Sequence, residues 1–309
     1  MTYNGLYICI NSEENPYRVR LGLPRNKGIT IDDISFIYNW DEEGIYLKEW
    51  KNRALERKDV FSNFYDFNRI FSFLYKFNIG LINDERIYYY NEKMTDVEEY
   101  TGKNQNMYKL KDFFAKYRSL PMRQKRRLDC CINLFNKSVY FSNELQLREE
   151  AYIYLYKIIE IISNEVVNKE FISQNLKGIN NDNNLDMLIK KYLCEENGIN
   201  NYQDIVAAIK KKLEERYNSA TIKIYHLNKN IKTNYNINDM NNIRDIVKLR
   251  NNLSHENPQI DNEDKFNEIF HKVFQYVPEL ICSHYLGVNY KDICCSLKVE
   301  FDDDVIFGE

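Results

Sequence analysis

Apolar and polar residues follow different patterns in the first third of the chain and in the remainder. The first part contains short apolar or alternating runs that are typical of β-strands, at 6–10, 17–21, 34–40 and 45–50. The Asp-Glu-Glu-Gly turn between the last two runs predicts a hairpin, and a second hairpin is predicted over 80–90. Aromatic residues recur every three or four positions over 60–77 and predict a helix. These patterns predict a small α+β module over 1–119.

From residue 108 onward, apolar residues recur at helical spacing. A short helix should end at Ser119, the next should start at Pro121, and Ser142-Asn143 should cap its partner. Further helices are predicted over 184–194, 203–217 and 240–256, and after Asn262. This order predicts an all-α bundle over 120–290, followed by an acidic end over 291–309 that adds an edge strand or stays a tail. The fold class predicted for the whole chain is α+β.

Composition indicates a folded protein outside membranes. Aromatic residues make up 14% of the chain, and no run approaches the roughly 18 apolar residues of a membrane span. The N-terminus has neither a basic nor an apolar signal region, which predicts a cytoplasmic protein. The seven cysteines should therefore be reduced, and Cys282, His284, Cys294 and Cys295 lack the paired spacing of a zinc clamp. We expect no cofactor and no metal.

One short stretch near the end of the 240–256 helix suggests chemistry. Arg250 lies three or four residues from Ile246, Val247 and Leu253, so it interrupts the apolar stripe of that helix. An arginine there is either paired in the core or pointed into a seam with another surface. Asn251 and His255 are four residues apart and share a helix face, whereas Arg250 and His255 are about 140° apart.

Basic residues are concentrated in the same half of the chain. The net charge is −3, but residues 121–260 hold 21 Lys/Arg against 17 Asp/Glu. The candidates for contacts with RNA phosphates are basic residues at the start of the helix after Pro121 and one residue of the helix predicted over 240–256: Arg123, Lys125, Arg126, Arg127 and Lys248. The alternative is that these side chains form a solvated face.

The order Arg-Asn-x3-His at Arg250, Asn251 and His255 resembles the motif of HEPN domains. The stretch 126–160, a helix, a polar break and a second helix, is similar to the Apea-like HEPN domains of prokaryotic antiviral proteins. The resemblance covers about 121–286, and many members of that superfamily are metal-independent ribonucleases of toxin, CRISPR-associated and anti-phage systems. It implies a homodimer in which two motif helices meet and build one cleft.

The motif residues have the chemistry that RNA cleavage without metal needs. RNA supplies its own nucleophile, the 2′-OH, so the protein has to move protons and stabilise negative charge on phosphorus. His255, expected in the last helical turn, would move protons because the negative end of the helix dipole favours imidazolium. Arg250 would bind phosphate oxygens, and Asn251 would orient His255 or the phosphate.

Two other interpretations stay open. Arg250 could form a salt bridge with a core acid such as Glu160 while His255 caps the helix, or the bundle could be a non-catalytic scaffold that binds RNA or protein. The module over 1–119 could bind a phage or host trigger or a regulatory partner. The absence of GxxxxGK[ST], GxGxxG, HExxH and GxSxG sequences argues against NTPase, dinucleotide, zinc-protease and serine-hydrolase functions.

Overall fold

The computed structural model describes side chains mainly in the helical part of the chain. They are described for 112–143, 145–174, 239–254 and 262–293, for most of 203–233, for 237, and for scattered positions within 69–76 and 187–195. Further helical and strand residues are described by their backbone alone.

Nine α-helices account for most of the described residues. Their bounds are α1 Gln105–Ser119, α2 Met122–Asn143, α3 Arg148–Val166, α4 Lys169–Asn180, α5 Tyr202–Tyr217, α6 Ala220–Asn230, α7 Met240–Leu253, α8 Glu263–Leu286 and α9 Tyr290–Cys294. A π-helical turn, Lys191–Glu196, lies between α4 and α5, and residues 69, 70 and 72–74 are also helical.

Short strands are assigned on the backbone before α1 and after α9. They are β1 Thr2–Tyr3, β2 Gly5–Ile8, β3 Tyr17–Arg20, β4 Lys27–Ile31, β5 Ile34–Asn39, β6 Gly44–Lys48, β7 Leu55–Glu56, β8 Ile87–Tyr90, β9 Glu98–Glu99 and β10 Lys298–Phe301. Six pair in the order β8-β2-β6-β5-β4-β9, with β5 and β6 antiparallel and Phe36 opposite Leu47. β10 pairs antiparallel with β3.

The prediction of an α+β fold is wrong for the part of the chain described with its side chains, which is helical and contains no strand. The core there is built from apolar residues that recur every three or four positions, as Leu128, Ile132 and Phe135 do in α2. The prediction failed because it set the fold class from the strand-like runs of the first 119 residues as well as from the helices. We therefore assign the described core to the all-helical class.

Several helix bounds differ from the predictions. Ser142 and Asn143 form the last turn of α2, and α3 begins only at Arg148, so they do not cap α3 as predicted. Two helices, α4 and α6, were not predicted. The signal for α6 was present, since Ser219 accepts a hydrogen bond from the backbone N–H of Ile222 as an N-cap. Its stripe of two buried residues was too short to stand out.

Residue contacts divide the chain into two compact units, one made of Met1–Ala151 and Ile281–Glu309, the other of Tyr152–Leu280. Their borders fall inside α3 and α8. The borders predicted at 119 and 290 stay predictions. Within the described helices, none combines the length and apolar character needed to cross a membrane.

The described core of the first unit contains aromatic rings, with a half-buried ion pair beside them. Phe73 meets Phe135 edge to face with ring centroids 5.4 Å apart, and the ring of Tyr290 lies 5.7 Å from that of Phe73. Arg69 forms a salt bridge of 2.9 Å with Asp129. These contacts join α2 and α9 to the helical residues near position 70.

The second unit packs α3, α6, α7 and α8 around apolar side chains. Tyr152 of α3 is fully buried, and its ring lies 6.4 Å from that of Phe266. Tyr276 is also fully buried and donates a hydrogen bond to Asn228, whose amide in turn donates to the Ile237 carbonyl at 3.0 Å. This unit carries the motif helix α7.

Candidate active site

The motif helix α7 has clear start and stop signals. The Asp239 carboxylate accepts a hydrogen bond of 3.0 Å from the backbone N–H of Asn241, and this N-cap starts the helix. At the other end, the Ser254 hydroxyl and backbone N–H both donate to the Arg250 carbonyl, at 2.8 and 3.1 Å. These bonds satisfy terminal carbonyls and end the helix at Leu253, three residues before the predicted end. His255, the predicted proton carrier, lies outside the described residues.

Arg250 lies half-buried at the edge of the apolar face of α7. Its guanidinium carbon is 5.5 Å from the centroid of the Tyr156 ring, and its Nη1 donates to the Asn251 side-chain oxygen at 3.2 Å. Of the two predicted positions, the described contacts show no pairing with a core acid, and the ring that faces Arg250 comes from α3 of the same unit. The seam with another surface stays a prediction. The structure thus brings Arg250 and Asn251 into direct contact.

No carboxylate among the described residues forms an ion pair with Arg250. The salt bridge with Glu160 considered above is not formed, and Glu160 is exposed. A half-buried guanidinium that forms no ion pair with a described carboxylate is suited to bind another anion.

Two tyrosines one turn apart on α3 form the surface behind Arg250. Tyr152 donates a hydrogen bond of 2.8 Å to the Ile246 carbonyl, which joins α3 to the middle of α7. Tyr156 is only 4% exposed. Burial raises the pKa of both phenols, and for Tyr156 the positive charge of Arg250 acts in the opposite direction. The ring beneath Arg250 is therefore neutral at physiological pH.

The solvent-facing side of α7 is polar and carries positive charge. Asn241, Arg244, Lys248 and Asn251 are all exposed and recur at intervals of three or four residues, so they line one face. The only carboxylate of the helix, Asp245, forms a salt bridge of 3.0 Å with Lys265 of α8. The positive charges of this face are therefore not offset within α7, and a phosphate backbone could lie along it.

The other predicted RNA contacts lie on α2, in the first unit. Arg123 and Arg126 are exposed, whereas Arg127 is half-buried. Lys125 lies over the Tyr117 ring at 4.7 Å, so part of this cluster packs against its own unit. Lys248 is the one predicted phosphate-binding residue that shares a helix with Arg250 and Asn251.

The cysteine and histidine group considered for zinc gives no metal site in the described part of the chain, where no three His, Cys, Asp or Glu side chains converge. Cys282 is buried. The His284 ring packs against that of Tyr285 with centroids 4.6 Å apart. The side chains of Cys294 and Cys295 lie outside the described residues.

Three residues of this site were not among the predicted ones. Tyr152 and Tyr156 come from a distant part of the sequence, and their partners on α7 follow only from packing. Arg244 could have been found, because it lies four residues before Lys248 and seven before Asn251 on the same helix face.

Together, Arg250 and Asn251 offer N–H donors and positive charge that suit a phosphate, on a face lined by further cations. Compared with known proteins, the chain matches no protein-family model, no curated protein and no solved structure.

Proposed function

We propose that this protein is a metal-independent endoribonuclease of the HEPN type, acting as a toxin-like or anti-phage effector in the cytoplasm of a prokaryote. One observation carries the proposal: Arg250 is held against Tyr156 and Asn251 with no described carboxylate to neutralise it, five residues before His255 in the chain. An arginine kept charged and oriented at the end of a helix is suited to bind a phosphodiester.

The proposed reaction is transesterification within the RNA. The 2′-OH loses its proton to a base and attacks the adjacent phosphorus, and the bond from phosphorus to the 5′-oxygen breaks as that oxygen takes up a proton. Arg250 stabilises the negative charge on the phosphoryl oxygens, and His255 transfers protons. The products are a 2′,3′-cyclic phosphate and a 5′-OH end.

The acid and base steps call for two proton-transferring groups. We propose that a homodimer pairs two copies of α7, so that each cleft holds two His255 and two Arg250 side chains. The exposed face that carries Arg244, Lys248 and Asn251 is free of described ion pairs to other elements and would hold the RNA strand leading to the cleft. A strictly monomeric protein that cleaves RNA would contradict the dimer.

The test is incubation of the purified protein with end-labelled single-stranded RNA and tRNA in excess EDTA. We expect cleavage to cyclic-phosphate ends, lost in His255→Ala and Arg250→Ala. His271→Ala is the matched control, because His271 is an exposed histidine of the same unit. This variant should cleave RNA like the parent. Equal cleavage by the parent and His255→Ala would refute the proposal.

The same samples test the alternative of a non-catalytic scaffold. Binding of RNA by the parent without cleavage, unchanged by His255→Ala, would favour that alternative.

For the effector role, expression in a bacterial host should arrest growth, and His255→Ala should remove the arrest. If a phage or host trigger or a regulatory partner binds residues 1–119, adding it should strengthen both the cleavage and the arrest.

A further inference from the structure

We infer that Tyr156 is a positioning residue for Arg250, an inference that rests on the proposed ribonuclease function. The ring of Tyr156 fixes the guanidinium from one side without neutralising it, so that the remaining N–H groups are left for a phosphate of single-stranded RNA. A carboxylate in the place of the ring would take up some of those N–H groups and offset the charge.

A contact one helical turn before Tyr156 and Arg250 sets the position of the Tyr156 ring relative to the Arg250 guanidinium. Tyr152 lies four residues before Tyr156 on α3, and Ile246 lies four residues before Arg250 on α7. The hydrogen bond of 2.8 Å from the Tyr152 hydroxyl to the Ile246 carbonyl is fully buried and fixes the two helices at that point. Because both helices then advance by one turn, the next pair along them is Tyr156 and Arg250.

The ring is itself held in place. Tyr156 is 4% exposed, and its neighbours on the buried face of α3, Leu155 and Ile159, are fully buried. A tightly packed side chain cannot rotate away without opening a cavity, so it provides a fixed surface. The long side chain of Arg250 would otherwise sample many rotamers, and contact with the ring reduces that freedom.

The N–H groups of Arg250 can be shared between the protein and an RNA phosphate. A guanidinium has five N–H groups in one plane. Among the described residues, only the Asn251 side-chain oxygen accepts one of them, at 3.2 Å. The attraction to the ring comes from its electron-rich face and leaves the charge of Arg250 intact. Burial keeps the Tyr156 phenol protonated, so the ring adds no negative charge beneath the cation.

The experiment compares Tyr156→Phe with Tyr156→Leu. Phenylalanine keeps the aromatic face and should keep kcat for RNA cleavage within about threefold of the parent, whereas leucine removes the face and should lower kcat about 10- to 30-fold with little change in KM. The matched control is Tyr225→Leu, which removes a ring beneath Lys229, 4.5 Å away, in the same unit. It should leave kcat unchanged.

A second measurement does not depend on cleavage. NMR of arginine labelled with ¹³C and ¹⁵N, with the Arg250 signals assigned from Arg250→Lys, should show ring-current shifts on the Arg250 side chain in the parent and in Tyr156→Phe. Those shifts should disappear in Tyr156→Leu. If the leucine variant does not fold, Tyr156→Met, whose side chain is longer and flexible, takes its place in both measurements.

The outcomes separate the two proposals. A folded Tyr156→Leu with the kcat of the parent, or with unchanged Arg250 shifts, would overturn the positioning role, as would an equal loss of kcat in Tyr225→Leu. If the parent cleaves no RNA, the ribonuclease proposal fails, while the NMR shifts still test whether Tyr156 positions Arg250.

Discussion

Replacing Arg250 by leucine should strongly reduce RNA cleavage while leaving the stability of the protein almost unchanged. The position belongs to the apolar stripe of α7, next to the buried residues Ile243 and Ile246, where an aliphatic side chain would ordinarily be expected. The structure gives Arg250 an aromatic contact and one exposed hydrogen bond, and no ion pair among the described residues.

In Arg250→Leu the contributions to the free energy of unfolding that are lost and those that are gained are similar in size. Leucine loses the contact with the Tyr156 ring, worth about 0.5–2 kcal/mol, and an exposed hydrogen bond to Asn251 worth at most about 1 kcal/mol. It gains about 1 kcal/mol from burying apolar surface at a half-buried site and about 1 kcal/mol because it loses less side-chain entropy. Leucine and arginine have nearly equal helix propensities. The free energy of unfolding should therefore change by no more than about 1 kcal/mol.

A purely structural role predicts a different result. If Arg250 were one partner of a buried ion pair, its removal would cost about 3–5 kcal/mol, because the other charge would stay buried. At about 2–4 °C of Tm per kcal/mol, the two interpretations differ by several degrees, which thermal unfolding resolves.

Activity should respond much more strongly. Loss of one preorganised donor to the transition state commonly lowers kcat by a factor of about 10² to 10³. Arg250→Lys keeps the charge but loses the planar fork, so its kcat should lie between those of the parent and of Arg250→Leu.

The assay pairs urea and thermal unfolding with RNA cleavage in EDTA for the parent and both variants. A loss of more than about 3 kcal/mol in Arg250→Leu would mean that Arg250 holds the fold together. Unchanged cleavage by a stable Arg250→Leu would refute its role in the reaction.

Three further predictions concern the same unit. Lys248→Ala should weaken RNA binding about equally for different sequences and lower the slope of log Kd against log salt concentration by about 1 or less. A fluorescence titration at several salt concentrations measures this slope, and an unchanged slope would mean that Lys248 does not contact the RNA. Tyr276→Phe removes a part-buried hydrogen bond to the Asn228 oxygen, so urea unfolding should show that the free energy of unfolding falls by about 0.5–1.5 kcal/mol. No fall would mean that the bond is not formed. Burial, with a smaller contribution from Lys229, lowers the pKa of His226, so the folded protein disfavours its protonation and stability should fall as the pH drops below 6.5. His226→Gln should reduce that fall, and an identical pH dependence in both proteins would contradict the assignment.

The sequence predicted the helices whose apolar stripes are long and regular. The starts of α2, α7 and α8 and the extent of α5 follow from caps, proline and spacing, which are local properties. The end of α7 at Leu253 was missed, because Ser254 makes its hydrogen bonds to Arg250 only in the folded turn. The predicted α+β class was wrong for the described core, since local strand patterns do not reveal which segments form that core.

By itself the sequence determined which residue types stand next to one another on the motif helix: an arginine within an apolar stripe, an asparagine beside it and a histidine shortly after. It also determined that the face with Lys248 is cationic. These features follow from spacing alone, because positions three and four apart share a helix face whatever surrounds them.

Only the tertiary structure decided what Arg250 meets. Spacing allowed a core acid or an open seam, and packing of α3 against α7 placed the neutral ring of Tyr156 there in place of Glu160. The partners Tyr152 and Ile246 are 94 positions apart in the chain, and no local pattern links them. Pairing between distant helices depends on how whole apolar faces fit together, and that fit is a property of the folded chain.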